Sequence, residues 1–332
     1  MAGTLMDTTP LPPSAPEPSP PDPAVVAMLP PVPAVTASAH RESPVSPLFD
    51  VFVGPHGIYP GVRWLIYLSI GYILFRLLGD LMHDLHPQPG GPIWWGMITE
   101  GFMMLAAIVP GFILARIERR PFGDFGLPAR SAFRRNFWVG TLWGIASLSV
   151  LMLALRLAGA FEFGSLALHG ASVVKFAVYY AVFFLLTGLF EEFLVRGYSQ
   201  WVLSQGMNFW PAAALLSASF GALHSTNPGE SKAGLIAAAL IGFFFCLTLR
   251  RTGDLWWAIG FHMSWDWGES YLYSVPDSGG MSHGHLLNSS FHGPEWLTGG
   301  SVGPEGSLLV FVVIVALWVL FDRMYPEVKY QA

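Results

Sequence analysis

Eight apolar stretches, each nearly free of charged side chains, recur along this chain and limit what it can become. An α-helix needs about 20 predominantly apolar residues to cross the hydrocarbon of a bilayer. Only structures that satisfy their own backbone hydrogen bonds can lie there. Composition points the same way, since 53% of the 332 residues are hydrophobic and only 12% are charged, about half the charged share of a soluble domain. The expected fold is all-α, a polytopic membrane protein of about eight transmembrane helices around an intramembrane polar site.

The spans are expected at about residues 63–83, 92–115, 137–159, 173–202, 209–224, 233–249, 254–273 and 307–321. In the first, Arg76 and Asp80 are four apart and able to pair on one helical face. The second opens on Trp94 and Trp95, suited to the membrane interface, and carries Glu100 inside. Upstream, residues 1–50 hold thirteen of the 27 prolines. Proline removes backbone donors and favours extended chain, so this segment is read as a disordered cytoplasmic tail. The transmembrane domain is expected over 60–325.

Basic residues orient the spans, because lysine and arginine are retained on the cytoplasmic side of short loops. Arg116, Arg119, Arg120, Arg130, Arg134 and Arg135 follow the second span, Arg250 and Arg251 the sixth, and Arg323 and Lys329 the eighth. The loop after the first span and the long loop 274–306 contain neither lysine nor arginine; Lys232 is the exception on that side. Both termini are therefore expected in the cytoplasm. The first basic residue is Arg41, so insertion is expected to be driven by the internal spans.

The net charge of -5 and the absence of a basic tract exclude a nucleic-acid footprint. The single cysteine, Cys246, lies in an apolar run and reads as a buried thiol. His283, His285 and His292 lie in the glycine- and serine-rich loop 274–306 without a cysteine, and read as loop residues rather than a metal site.

The fourth span carries the polar run "LFEEFLVRGYSQ". Arg196 lies four residues after Glu192 and can neutralise it, whereas Glu191 points about 100° away. A carboxylate in hydrocarbon must face a polar cavity, find a partner or take up a proton. His224 ends the fifth span, and His262 and Asp266 form a second i,i+4 pair in the seventh. Carboxylates and imidazoles on three spans are the ingredients of general base catalysis with charge stabilisation at a carbonyl. No serine or cysteine is singled out as a nucleophile beside these histidines, which favours activated water. The same residue types serve a buried packing network or proton-coupled transport, so composition alone leaves those readings open. The chain shows no pair of broken helices of the transporter kind.

Three short motifs carry a resemblance. "EEFLVR" matches EExxxR, "FGALH" matches FxxxH and "HMSWD" matches HxxxN/D, in that order on successive spans. Over about residues 95–275 the chain resembles the CPBP family, the CAAX-processing and bacteriocin-processing intramembrane proteases, also labelled the abortive-infection or CAAX prenyl protease 2 group. The resemblance implies an intramembrane endopeptidase of the glutamate type. Glu191 and His224 would activate water; His262 and Asp266 would stabilise the oxyanion. Glu192, Arg196 and Phe220 would support the site. Aspartate stands at 266 where the prenyl proteases typically have asparagine, which suits a role in orienting His262 better than direct contact with an oxyanion. No cofactor is expected; the alternative is zinc held by Glu191, His224 and His262. The expected substrate is a membrane-associated protein or peptide, of the CAAX type or another, met in the lipid bilayer, and the expected location a bacterial cytoplasmic membrane. The alternatives in function are a proton-coupled small-solute transporter and a catalytically inactive membrane binding protein of the same fold.

Helical rise gives a depth check. At 1.5 Å per residue Glu191 lies roughly 15 Å, His262 roughly 12 Å and His224 roughly 22 Å from the cytoplasmic ends of their spans, so tilt must bring His224 level with the others.

Overall fold

The structure, a computed structural model, describes residues 52–54, 57–85, 94–281 and 283–331. The proline-rich segment 1–50 lies outside the described residues. Each of the eight expected segments is helical at its centre: α1 Pro60–Leu85, α2 Trp94–Ile117, α3 Arg135–Leu157, α4 Ala171–Glu192, with α5 Gln200–Met207 continuing it, α6 Phe209–Leu223, α7 Lys232–Thr252, α8 Trp256–Trp267 and α9 Leu308–Met324. The fold is an all-α, multi-pass membrane protein. Five helices are long and apolar enough to cross a bilayer, at Pro60–Asp84, Trp94–Ile117, Arg135–Leu157, Ala171–Met207 and Lys232–Thr252. The segments around α6, α8 and α9 have 15, 12 and 17 residues of α-helix and fall short of that length.

Two helices leave α-geometry beside the polar residues, against the expectation of unbroken spans. Phe193–Ser199 is a π-helical segment between α4 and α5, and Gly197 within it has φ −81° and ψ −115°. Ser199 Oγ closes the wide turn by donating to the Leu194 carbonyl five residues back, at 2.6 Å. Gly268–Tyr273 forms a second π-helical segment after α8. Such segments insert a residue into a turn and re-aim the side chains around it. Gly197 lies within the first segment and Gly268 opens the second.

The closest helix crossing sets the position of α8. A Cβ on Gly140 of α3 would lie 2.0 Å from the Trp257 carbonyl oxygen, and one on Gly260 of α8 would lie 2.1 Å from that of Phe137. Backbones at this separation exclude any side chain larger than hydrogen, the small-residue packing that holds helices together where lipid supplies no hydrophobic drive. Ser264 Oγ spans the same seam, donating to the Thr141 carbonyl at 2.9 Å. His262 sits between these two contacts in sequence and is carried by a helix locked in place on both sides.

The connecting segments meet in two groups. Arg250 donates to the Tyr330 carbonyl, the Lys329 and Tyr330 amides donate to the Arg250 carbonyl, and Tyr330 Oη donates to that of Asp124, which joins the arginine-bearing loops and the C-terminal segment at one end. At the other, Phe161–Glu162 pairs antiparallel with Ser290–Phe291, tying the loop after α3 to loop 274–306. Arg76 and Asp80 stand 4.0 Å apart on the exposed flank of α1.

Candidate active site

Glu191 and Glu192 close α4, one half-exposed and the other fully buried. Arg196, in the π-helical segment, is also fully buried and places Nη1 3.2 Å from Glu192 Oε1, so the pairing expected at i,i+4 spacing is present. The guanidinium also lies 4.4 Å from the centre of the Phe220 ring and 5.9 Å from that of Phe245. Aromatic faces attract a desolvated cation, which gives Phe220 its supporting place. Gly242 makes the room: a Cβ there would meet Arg196 Nη2 at 2.1 Å.

Glu192 reaches further than its sequence partner. Its Oε1 also lies 2.9 Å from His262 Nδ1. Asp266 Oδ2 lies 3.3 Å from Nε2 of the same ring, and Glu191 Oε2 lies 3.7 Å from it. Both ring nitrogens thus face carboxyl oxygens. Glu192 and Asp266 together fix its orientation.

His224 begins a 3₁₀ turn that follows α6. Its Nδ1 lies 2.8 Å from the Phe220 carbonyl oxygen, and its ring packs on that of Phe220 at 4.6 Å. Because a carbonyl accepts only, Nδ1 carries the hydrogen and Nε2 is left with its lone pair, the form suited to taking a proton. Glu191, His224, His262 and Asp266 all line one cavity of about 410 Å³, whose remaining wall is largely apolar. The structure thus brings the four residues named for chemistry to a single cavity, with Glu192 and Arg196 behind it.

Other polar groups around the cavity were not assigned from sequence. Thr187, one turn before Glu191, donates to Glu100 Oε2 at 3.1 Å, drawing the α2 carboxylate to the site. Asp277 and Glu305, from the loop 274–306, line the same cavity close to Asp266. Burial, followed by the neighbouring acidic groups, pushes the Asp277 carboxyl well above the usual carboxylate range and raises that of Glu305. Their short loop contexts, "VPDSGG" and "GPEG", carry no spacing that would single them out.

Among the described residues, Glu191, His224 and His262 do not form a group whose ligand atoms all lie within 4.8 Å of one another. Among the described residues, the metal-competent group of three is instead Asp266, Asp277 and Glu305, whose ligand atoms lie within 4.8 Å of one another.

The family model described as "Type II CAAX prenyl endopeptidase Rce1-like" matches residues 173–268. The match covers about 95 of the 332 residues. The matched segment holds Glu191, Glu192, Arg196, Phe220, His224, His262 and Asp266, and stops short of Asp277 and Glu305. A search of curated proteins returned no match to the chain.

Proposed function

We propose that this chain is an intramembrane endopeptidase in which Glu191, with His224, activates the water that attacks a peptide carbonyl. Supporting this most directly is the convergence of Glu191, His224 and His262 on one largely apolar cavity within a segment that matches a prenyl endopeptidase family. Glu191 is the carboxylate left without an arginine, and His224 has a lone-pair nitrogen available. The half-buried cavity keeps competing water low and strengthens the charges within it.

His262 would donate to the oxygen on which charge develops in the tetrahedral intermediate. Its Nε2 hydrogen, directed at Asp266 in the resting site, would be shared with that oxyanion. Asp266 and Glu192 hold the ring rather than touch the substrate. The proton removed from water would pass to the leaving amine, by way of Glu191 or His224. The substrate would be a membrane-associated protein or peptide; a prenylated C-terminus is one candidate. The cytoplasmic placement of both termini, the eight-span count and a bacterial cytoplasmic membrane belong to the same proposal.

One observation favours a second reading. Two π-helical interruptions flank a carboxylate-rich cavity, and interrupted helices at a buried polar site also serve proton-coupled solute transporters. Detergent-purified protein incubated with a membrane-peptide library, including a prenylated CAAX reporter, separates the two. Cleavage that Glu191→Gln abolishes supports the peptidase. No cleavage of any peptide, together with solute-driven proton flux in liposomes, supports transport.

A further inference from the structure

We infer that Asp266, Asp277 and Glu305, backed by Glu269, form a binding site for a divalent cation of the oxygen-preferring kind, Mg²⁺, Mn²⁺ or Ca²⁺. The inference concerns a binding site and does not depend on the peptidase reading. The three carboxylates come from three separate elements: α8, the loop after the second π-helical segment, and the 3₁₀ turn Pro304–Gly306. Their ligand atoms nevertheless lie within 4.8 Å of one another, a spacing that one ion with oxygen ligands at about 2.0–2.6 Å can bridge.

The carboxylates are held in a way that leaves ligand atoms over. Ser270 Oγ donates to Asp277 Oδ2 at 3.0 Å. The Ser278 amide and hydroxyl donate to Glu305 Oε2 at 3.2 and 2.8 Å. Asp266 Oδ2 faces His262. Each carboxylate thus has one oxygen held by a neighbouring protein group, the arrangement in which surrounding hydrogen bonds orient metal ligands.

Glu269 supplies an independent indication. It is one turn beyond Asp266 and fully buried, and neither of its carboxylate oxygens has a partner in normal hydrogen-bond geometry, the Trp265 side chain acting on it only as a weaker donor. Its charge interacts with those of Glu305, Asp277 and Asp266. A buried carboxylate without a partner is costly, and three more beside it raise the cost. Among the described residues, the one ion pair these four make is that of Asp266 with His262. A divalent cation would supply the partner that the oxygens of this cluster lack, and an all-oxygen set selects a hard ion over zinc. Bound there, it would also draw charge from Asp266 at the place where that carboxylate faces His262, and fasten loop 274–306 to α8.

The test is calorimetric titration of the EDTA-treated, detergent-purified full chain with Mg²⁺, Mn²⁺ and Ca²⁺, paired with thermal melts. Saturable binding of one ion per chain and a higher melting temperature are expected. Asp277→Asn and Glu305→Gln should each weaken binding at least tenfold, while Glu191→Gln retains it. If either variant fails to fold, Ser270→Ala, which frees Asp277 without removing a ligand, should still weaken binding several-fold. Absence of saturable binding for all three ions, or binding unchanged in Asp277→Asn and Glu305→Gln, overturns the inference. So does a site that takes only Zn²⁺, because oxygen-only donors would not select it.

Discussion

Glu192 Oε1 and His262 Nδ1 are 2.9 Å apart, and the same oxygen is 3.2 Å from Arg196. One buried carboxylate therefore joins two motifs that are 70 residues apart in sequence, and it is the hinge between the packing of α4 and the orientation of a ring on α8. The adjacent Glu191 has a different environment, partly exposed and facing the cavity.

That difference separates two substitutions. Glu191→Gln should fold with near wild-type stability and lose nearly all peptide hydrolysis. Glu192→Gln should lower the melting temperature as well, because Arg196 loses its counter-charge and the His262 ring its acceptor. Paired measurements of turnover and detergent melts check this; wild-type-like turnover in Glu191→Gln would remove it from the role of base.

Arg196 and Gly242 should behave as one unit. Arg196→Met leaves Glu192 buried without its arginine and should cost about 3–5 kcal/mol. Gly242→Ala puts a methyl group where Arg196 Nη2 lies, so it should displace the guanidinium and reduce activity with a smaller loss of stability. In the double variant the Gly242→Ala effect should largely vanish, since the group it displaces is gone. Additive losses would contradict the coupling.

The seam between α3 and α8 gives a prediction remote from the chemistry. Gly260→Ala drives a Cβ against the Phe137 carbonyl, and overpacking of this kind costs about 1–3 kcal/mol or more. Because His262 follows two residues later, turnover should fall together with melting temperature. Gly61→Ala, whose Cβ would meet nothing within 4 Å, serves as the control and should change neither.

Topology is tested by cysteine tags at residues 30 and 290 in intact cells. On the proposed topology, with the ten basic residues retained in the cytoplasm, the first tag should be cytoplasmic and the second outside. Equal labelling of both by a membrane-impermeant thiol reagent would reverse that placement.

Much of this arrangement is legible before any coordinates. Apolar run length marks the helices, and the spacing of Glu192 to Arg196 and of His262 to Asp266 encodes pairs that the structure contains, since both pairings are local. The contact of Glu192 with His262 depends on how two helices cross, which spacing within either helix does not encode. The π-helical segments are hidden for a related reason: their residues suit an α-helix, and only the packing around Gly197 and Gly268 selects the wider turn. Asp277 and Glu305 lie in a loop without periodicity, so their approach to Asp266 follows from tertiary structure alone. The zinc set named from sequence lies around one cavity, but the group whose ligand atoms come within 4.8 Å of one another is Asp266, Asp277 and Glu305, two of which no motif marks.

The length of α6 bears on the membrane itself. Its 15 residues extend about 22 Å, against a hydrocarbon thickness of about 30 Å. A segment this short crosses only where the lipid gives way, by thinning on that flank or by drawing headgroups inward. His224 follows its last turn, so the deformation would fall beside that imidazole and bring the aqueous phase close to it. On the peptidase reading, the bilayer's local shape would then be part of how a hydrolytic water arrives, and lipids of different acyl length should tune the reaction without any change in the protein.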